Sequence, residues 1–198
     1  MSGQYFDNNP SLKHEVKSYQ YEFNGNNYRF LTDSGIFSRN YLDFGSETLI
    51  KSFTYENGRF KALDLGCGYG PIGILMSKRF PKMDLTMTDV NERAVSYALK
   101  NAKENGVQAS IYTSDGFDKI ETSFDVIWLN PPIRAGKEVI YRLYSDAFSH
   151  LNHLGEFWIV IQKKQGAESS INQLNKLFGN CEVMNKNKGY FVIKSKKL

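Results

Sequence analysis

Hydrophobic and polar residues alternate from Val16 to Phe23, with Tyr19, Tyr21 and Phe23 on one side, and again from Tyr28 to Leu31. Asn24-Gly25 lies between the two runs, and paired alternation around Asn-Gly predicts a β-hairpin. The residues before it, through about Lys13, are polar and include Asn8-Asn9-Pro10, which predicts a loose arm. Thr32 to Gly45 reads as a loop. Beyond it the period changes to that of a helix: Leu49, Ile50 and Phe53 share one face of a segment from Ser46 to about Tyr55, with Ser46 as the expected N-cap and Asn57-Gly58 as its end.

From Phe60 onward, apolar runs and helical spacings take turns. Phe60 to Leu65, Met83 to Thr88, Val107 to Tyr112, Phe124 to Leu129 and Gly155 to Ile161 read as strands. Between them come helices at Ile72–Phe80, at a segment ending near Glu104 with Ala94, Val95, Ala98, Leu99 and Ala102 inward, at Lys137–Leu151 and at Glu168–Phe178. Two final runs, Cys181 to Asn185 and Tyr190 to Lys194, flank a turn containing Gly189. This order predicts an α/β fold: a doubly wound, mostly parallel seven-stranded sheet that closes with an antiparallel hairpin and is preceded by the amino-terminal hairpin. The 198 residues suit a single domain, with residues 1–45 as arm, hairpin and loop and 46–198 as the α/β core.

Composition narrows the function classes. No apolar run reaches membrane-spanning length and the start of the chain lacks a leader-like core, so a cytoplasmic protein with no membrane partner is expected. Two cysteines far apart and three histidines without ligand spacing offer neither a disulfide framework nor a metal site. The formal charge of +4 permits a polyanionic partner without requiring one. Lys163, Lys164, Lys186, Lys188, Lys194, Lys196 and Lys197 concentrate that charge late in the chain. Oligomeric state is left open.

The candidate chemistry begins at Leu63-Asp64-Leu65-Gly66-Cys67-Gly68-Tyr69-Gly70-Pro71-Ile72-Gly73, a strand, a glycine loop and a helix start. Such a loop at the carboxyl end of a strand is where ligands bind in open α/β sheets. Gly68 to Gly73 satisfies G-x-G-x-x-G, and Asp89 follows about twenty residues later, where a carboxylate can accept from both hydroxyls of a ribose. Asp64 distinguishes between ligands: it would repel a pyrophosphate and attract an ammonium group. S-adenosylmethionine carries an amino acid tail, a sulfonium and an adenosine but no phosphate, and is preferred over NAD. Asp115, in the turn Ser114-Asp115-Gly116-Phe117, could accept from an adenine amine, or the segment could be a plain turn.

A second motif, Asn130-Pro131-Pro132-Ile133, follows the fourth strand. Two prolines make a stiff turn whose carbonyls are withheld from helix bonding. If the Asn130 side-chain oxygen and the Pro131 carbonyl hold the two hydrogens of a planar exocyclic amine, its nitrogen lone pair can turn toward an electrophilic methyl group. Positioning is the required chemistry, with no metal and no strong base.

Taken together, Gly35-Ile36-Phe37-Ser38, Leu42-Asp43-Phe44-Gly45-Ser46, the glycine loop, Asp89-Val90-Asn91 and Asn130-Pro131-Pro132 resemble the Rossmann-like class I S-adenosylmethionine-dependent methyltransferases. Within that class the sequence more closely resembles the bacterial C-type guanine-N2 methyltransferases of small-subunit (16S) ribosomal RNA. The resemblance implies that Asp64, Gly66, Gly68 and Gly70 meet the methionine end of the cofactor, Asp89 its ribose, and Asp115 with Gly116 its adenine. It further implies that Asn130 and Pro131 hold the target amine, and that Pro132 and Ile133 border the base. Many relatives carry an aromatic residue where this chain has Ile133, so Phe37 is the expected substitute for stacking. Arg134 and Lys137 are expected to meet phosphates of ribosomal RNA or of the small ribosomal subunit. Alternatives with the same chemistry are adenine N6 in nucleic acid and a protein glutamine. Alternatives of another class are an NAD-dependent oxidoreductase and a non-catalytic nucleic-acid binding module.

Overall fold

A computed structural model describes residues 15–34, 36, 41–56 and 58–198. The expected arm and Phe37 lie outside them. The hairpin forms from β1 (Lys17–Phe23) and β2 (Asn26–Thr32), joined by Asn24 and Gly25 with φ of 50° and 74°. Positive φ at both turn residues matches the right-handed twist of the strands.

After α1 (Phe44–Ser52) the chain alternates: β3 (Phe60–Leu65), α2 (Pro71–Arg79), β4 (Met83–Asp89), α3 (Glu92–Glu104), β5 (Ser110–Thr113) and β6 (Phe124–Leu129). It continues with α4 (Lys137–His150), β7 (Leu151–Gln162), α5 (Ala167–Phe178), β8 (Glu182–Asn187) and β9 (Tyr190–Lys196). The seven-stranded sheet has the order β5-β4-β3-β6-β7-β9-β8, parallel except where β9 pairs with β7 and β8. This is the predicted doubly wound sheet with its closing hairpin.

Two apolar layers sandwich the sheet. On one side Phe53 meets Trp128 and Trp158 edge-on, at 5.0 and 5.1 Å between ring centres, and all three are buried. On the other, Tyr144 of α4 and Phe178 of α5 pack on Phe157 of β7. Rings of this size bury large apolar areas and dominate such a core. Strands β3 and β6, covered on both faces, are correspondingly apolar throughout their central positions.

Four local expectations need correction. The N-cap of α1 is Asp43, whose carboxylate accepts the Ser46 N–H at 3.0 Å, so Ser46 lies inside the first turn. Strand β5 starts at Ser110 rather than Val107, because Gly106 and Val107 donate back to Lys103 and Ala102 and close α3 with a Schellman turn. Strand β7 starts at Leu151, directly after α4, and a register shift opposite Phe124 and Val126 separates this early pairing from the regular ladder that resumes at Glu156. Leu99 is exposed. The buried stripe of α3 includes Tyr97 and Asn101 instead, since Asn101 serves as an anchor for the hairpin: it accepts the Leu31 N–H and donates to the Leu31 carbonyl.

Candidate functional site

Asp64, near the carboxyl end of β3, is almost fully buried, and its Oδ2 accepts the Gly73 N–H at 2.8 Å. A Cβ on Gly73 would strike Met87 and crowd that oxygen, so glycine is required for this close approach. Asp64 Oδ1 is buried with no hydrogen-bond partner among the described residues. Burial, reinforced by the nearby charge of Asp89, pushes the Asp64 pKa up to about 7. A buried carboxylate with an unused oxygen is a site that gains from a cationic group.

Asp89 closes the same corner from β4. Its Oδ2 accepts the Gly68 N–H and its Oδ1 the Asn91 N–H, both at 2.8 Å, and the residue as a whole is half-buried. Burial raises its pKa against the pull of these amides. Asn91, not Asp89, caps α3 by accepting from Arg93 and Ala94. The carboxylate is therefore spared the capping task. At Gly68, φ is +57° and nothing lies within 4 Å of where a Cβ would stand, so the loop backbone is open to a ligand. Cys67 is buried, and burial holds its thiol well above the ordinary range, which makes it a packing residue rather than a nucleophile.

The loop is braced from behind. Tyr69 is buried, its hydroxyl lies 2.7 Å from that of Tyr19 in the hairpin, and its carbonyl accepts from Asn101. The hairpin thus grips the glycine loop through side chains as well as by packing.

In the next turn, the Ser114 N–H donates to the Asp89 carbonyl and ties the turn to this corner. Asp115 itself is exposed and pairs with Arg142 of α4 at 2.6 Å. Gly116 has φ of +52° and lies against Leu143.

The second corner begins one strand away, because Leu65 and Leu129 are partners in the parallel ladder between β3 and β6. Asn130 donates its amide nitrogen to Asp43 Oδ1 at 3.3 Å and to Ser46 Oγ at 3.2 Å. A carboxylate can only accept, so this contact fixes which way the amide faces. Both amide hydrogens are taken, and the Asn130 oxygen remains as a free acceptor among the described residues. The Pro131 carbonyl likewise receives no bond there. The Pro132 carbonyl is consumed by Ala135 N–H at 2.9 Å, in a 3-10 turn over Ile133–Ala135, contrary to the expectation that both proline carbonyls stay free. Ile133 is half-buried against the α4-side core, while Arg134 and Lys137 are exposed at this rim. Asp43 and Ser46 as partners of Asn130 escaped sequence reasoning, although both belong to the Leu42–Ser46 motif.

These two corners lie at neighbouring strand ends of a Rossmann-like fold, one with two carboxylates beside an open glycine loop and the other with an amide oxygen left free to accept. The family model for the Methyltransferase small domain matches residues 27–194, and the chain belongs to that family. It is 43% identical to the uncharacterized protein YbxB of Bacillus subtilis (strain 168), with both chains covered in full. It is 41% identical to ribosomal RNA small subunit methyltransferase C of Haemophilus influenzae (strain PittEE) over 75% of this chain and 46% of that protein. The chain thus spans about half the length of that methyltransferase. Among solved structures, the T. thermophilus 16S rRNA N2 G1207 methyltransferase in complex with AdoMet and guanosine superposes with a TM-score of 0.84 at 24% identity, covering 96% of this chain and 52% of that one. S-adenosylmethionine is the cofactor of this fold and family. The residues present suit it: Asp64 offers an unmatched carboxylate oxygen to an ammonium, Gly68 an open backbone, and the half-buried Asp89 two further acceptor oxygens, fixed by loop amides, to ribose hydroxyls. When bound it supplies an activated methyl group.

Proposed function

We propose that this protein transfers a methyl group from S-adenosylmethionine to the exocyclic N2 amine of a guanine in 16S ribosomal RNA, in the cytoplasm. The observation that carries the reading is the clamped Asn130: with its donors occupied by Asp43 and Ser46, it can only accept. Two acceptors, the Asn130 oxygen and the Pro131 carbonyl, match the two hydrogens of an aryl amine. Holding those hydrogens lets the nitrogen lone pair leave the ring plane and attack the methyl carbon. The carbon–sulfur pair departs with sulfur, and the extra proton leaves to water. The roles of Asp64, Gly66, Gly68, Gly70 and Asp89 at the cofactor are part of the same proposal, with the Ser114–Gly116 turn bordering its adenine.

An oxidoreductase would need a proton donor at this edge. His150 ends α4 and leads into β7, at the opposite edge of the sheet, and its ring stacks on Phe117 at 4.4 Å. That placement favours methyl transfer over hydride transfer.

The test is transfer of tritiated methyl groups from the cofactor to RNA of cells lacking this protein, followed by nucleoside separation. Label in N2-methylguanosine is expected, and Asn130→Ala should lower turnover by about a hundredfold or more while leaving cofactor affinity intact. Label in N6-methyladenosine or in protein glutamine would replace the guanine assignment.

A further inference from the structure

Four lysines, Lys163, Lys164, Lys186 and Lys188, are exposed, and among the described residues none of them forms a salt bridge. Elsewhere on the surface Lys51 and Lys194 do pair with carboxylates. The four come from two segments, the end of β7 and the β8–β9 turn, which the fold joins: Lys163 N–H donates to the Gly189 carbonyl at 2.8 Å. Lys163, Lys164 and Lys188 line an open groove of about 540 Å³, with Glu168 as its sole acidic lining residue.

The groove lies at the catalytic edge. Ile159 is level with Leu129 in the β6–β7 ladder, so β7 continues beyond the level of Asn130 before reaching Lys163. Lys188 sits 5.1 Å above the ring of Phe44, which in turn packs on Tyr190 and directly follows Asp43, the residue that clamps Asn130. Lys188 also occupies a left-handed position, φ 45°, where asparagine or glycine is the residue of least strain. A lysine in that position, half-stacked on an aromatic ring and with Glu47, already bridged to Lys51, as its nearby carboxylate, has the character of a contact for a polyanion rather than of a turn-former.

We propose that Lys163, Lys164 and Lys188 form a track for the phosphates of the RNA strand flanking the target base. The proposal rests on the reading of the protein as an RNA methyltransferase. Ammonium groups that meet phosphates release counterions from RNA, and this makes binding salt-dependent in proportion to the phosphates they meet.

The experiment measures binding of the whole protein, with S-adenosylhomocysteine present, to purified small-subunit ribosomal RNA from cells lacking it, as salt is raised from 50 to 200 mM. Replacing all three lysines with alanine should reduce the logarithmic salt slope by roughly 2, so that over this range the parent loses about twentyfold more affinity than the variant. A control of equal charge change, Arg59→Ala, Lys61→Ala and Lys82→Ala, strips cations from the amino-terminal edge of the sheet and should leave the slope unchanged. Cofactor affinity and thermal midpoint, measured on both variants, report folding. An unchanged slope in the groove variant, or an equal drop in the control, overturns the track even if the parent methylates RNA. A parent that methylates protein and not RNA overturns the underlying reading instead.

Discussion

The two corners of the site are built by different means. At β3 and β4, the acids Asp64 and Asp89 are held by backbone amides of the glycine loop and the α3 entry, Gly73, Gly68 and Asn91. At β6, Asn130 is held by side chains of residues more than eighty positions earlier in the chain. The first corner is local, buried and charged; the second is long-range, half-buried and neutral at its working oxygen. A backbone-held corner tolerates little change in sequence but carries electrostatic strain. The side-chain-held corner is less strained and depends on single contacts.

The largest effect expected from that contrast is on stability against pH. Asp64 titrates near 3.8 in an ordinary setting and near 7 here. The native state thus holds a proton that the unfolded chain releases, and stability falls as pH rises between those values and is lowest above about 7. The full difference corresponds to roughly 4 kcal/mol, of which about 2 kcal/mol falls between pH 5.5 and 7. Denaturant midpoints of the cofactor-free protein should decline across that range, and Asp64→Asn should flatten the decline. An equally steep decline in the variant would shift the cause to Asp89, whose pKa is raised in the same sense.

A middle-sized effect is expected at the other corner. Asp43 holds the Asn130 amide with the same oxygen that caps α1. Asp43→Ala should lower kcat by about tenfold and cost about 1 kcal/mol of stability from the lost cap, with KM for the cofactor unchanged. Asp43→Asn retains an oxygen at that place and should restore most of the rate. In an Asn130→Ala background the Asp43→Ala change should add no further loss in rate, as expected of a residue acting through its neighbour. Equal losses in both backgrounds would make Asp43 a structural cap alone.

The same contrast explains what could be read from the sequence. The backbone-held corner is written within one short run of glycines, because positive φ and close approach leave a compositional trace at fixed spacing; the alternation of strands and helices and the closing hairpin are legible from periodicity in the same way. The clamp on Asn130 is not, since nothing in local periodicity couples position 43 to position 130. Ser46 illustrates the difficulty: it carries N-cap chemistry, and only the folded chain shows that Asp43 caps the helix and frees the Ser46 hydroxyl for Asn130. The early start of β5 failed for a related reason, as Val107 looks like a strand residue and is spent in the cap of α3.

The smallest expected effect lies where the two styles of construction meet, at the hairpin. Tyr69 belongs to the glycine loop, yet its hydroxyl is 2.7 Å from Tyr19, 50 residues earlier, and its carbonyl is held by Asn101, which also binds Leu31. Tyr19→Phe removes that hydroxyl contact while keeping the ring that stacks on Phe30 at 5.5 Å. A neutral hydrogen bond of this kind contributes about 1 kcal/mol, so cofactor affinity by calorimetry should weaken by roughly fivefold if the hairpin helps to shape the loop. If it only covers the core, the melting midpoint should fall by a comparable free energy while affinity stays constant. Asn101→Ala, which cuts the hairpin's second link to the loop, reaches the Tyr69 carbonyl and the strand at Leu31 together and should enlarge whichever of the two changes Tyr19→Phe shows.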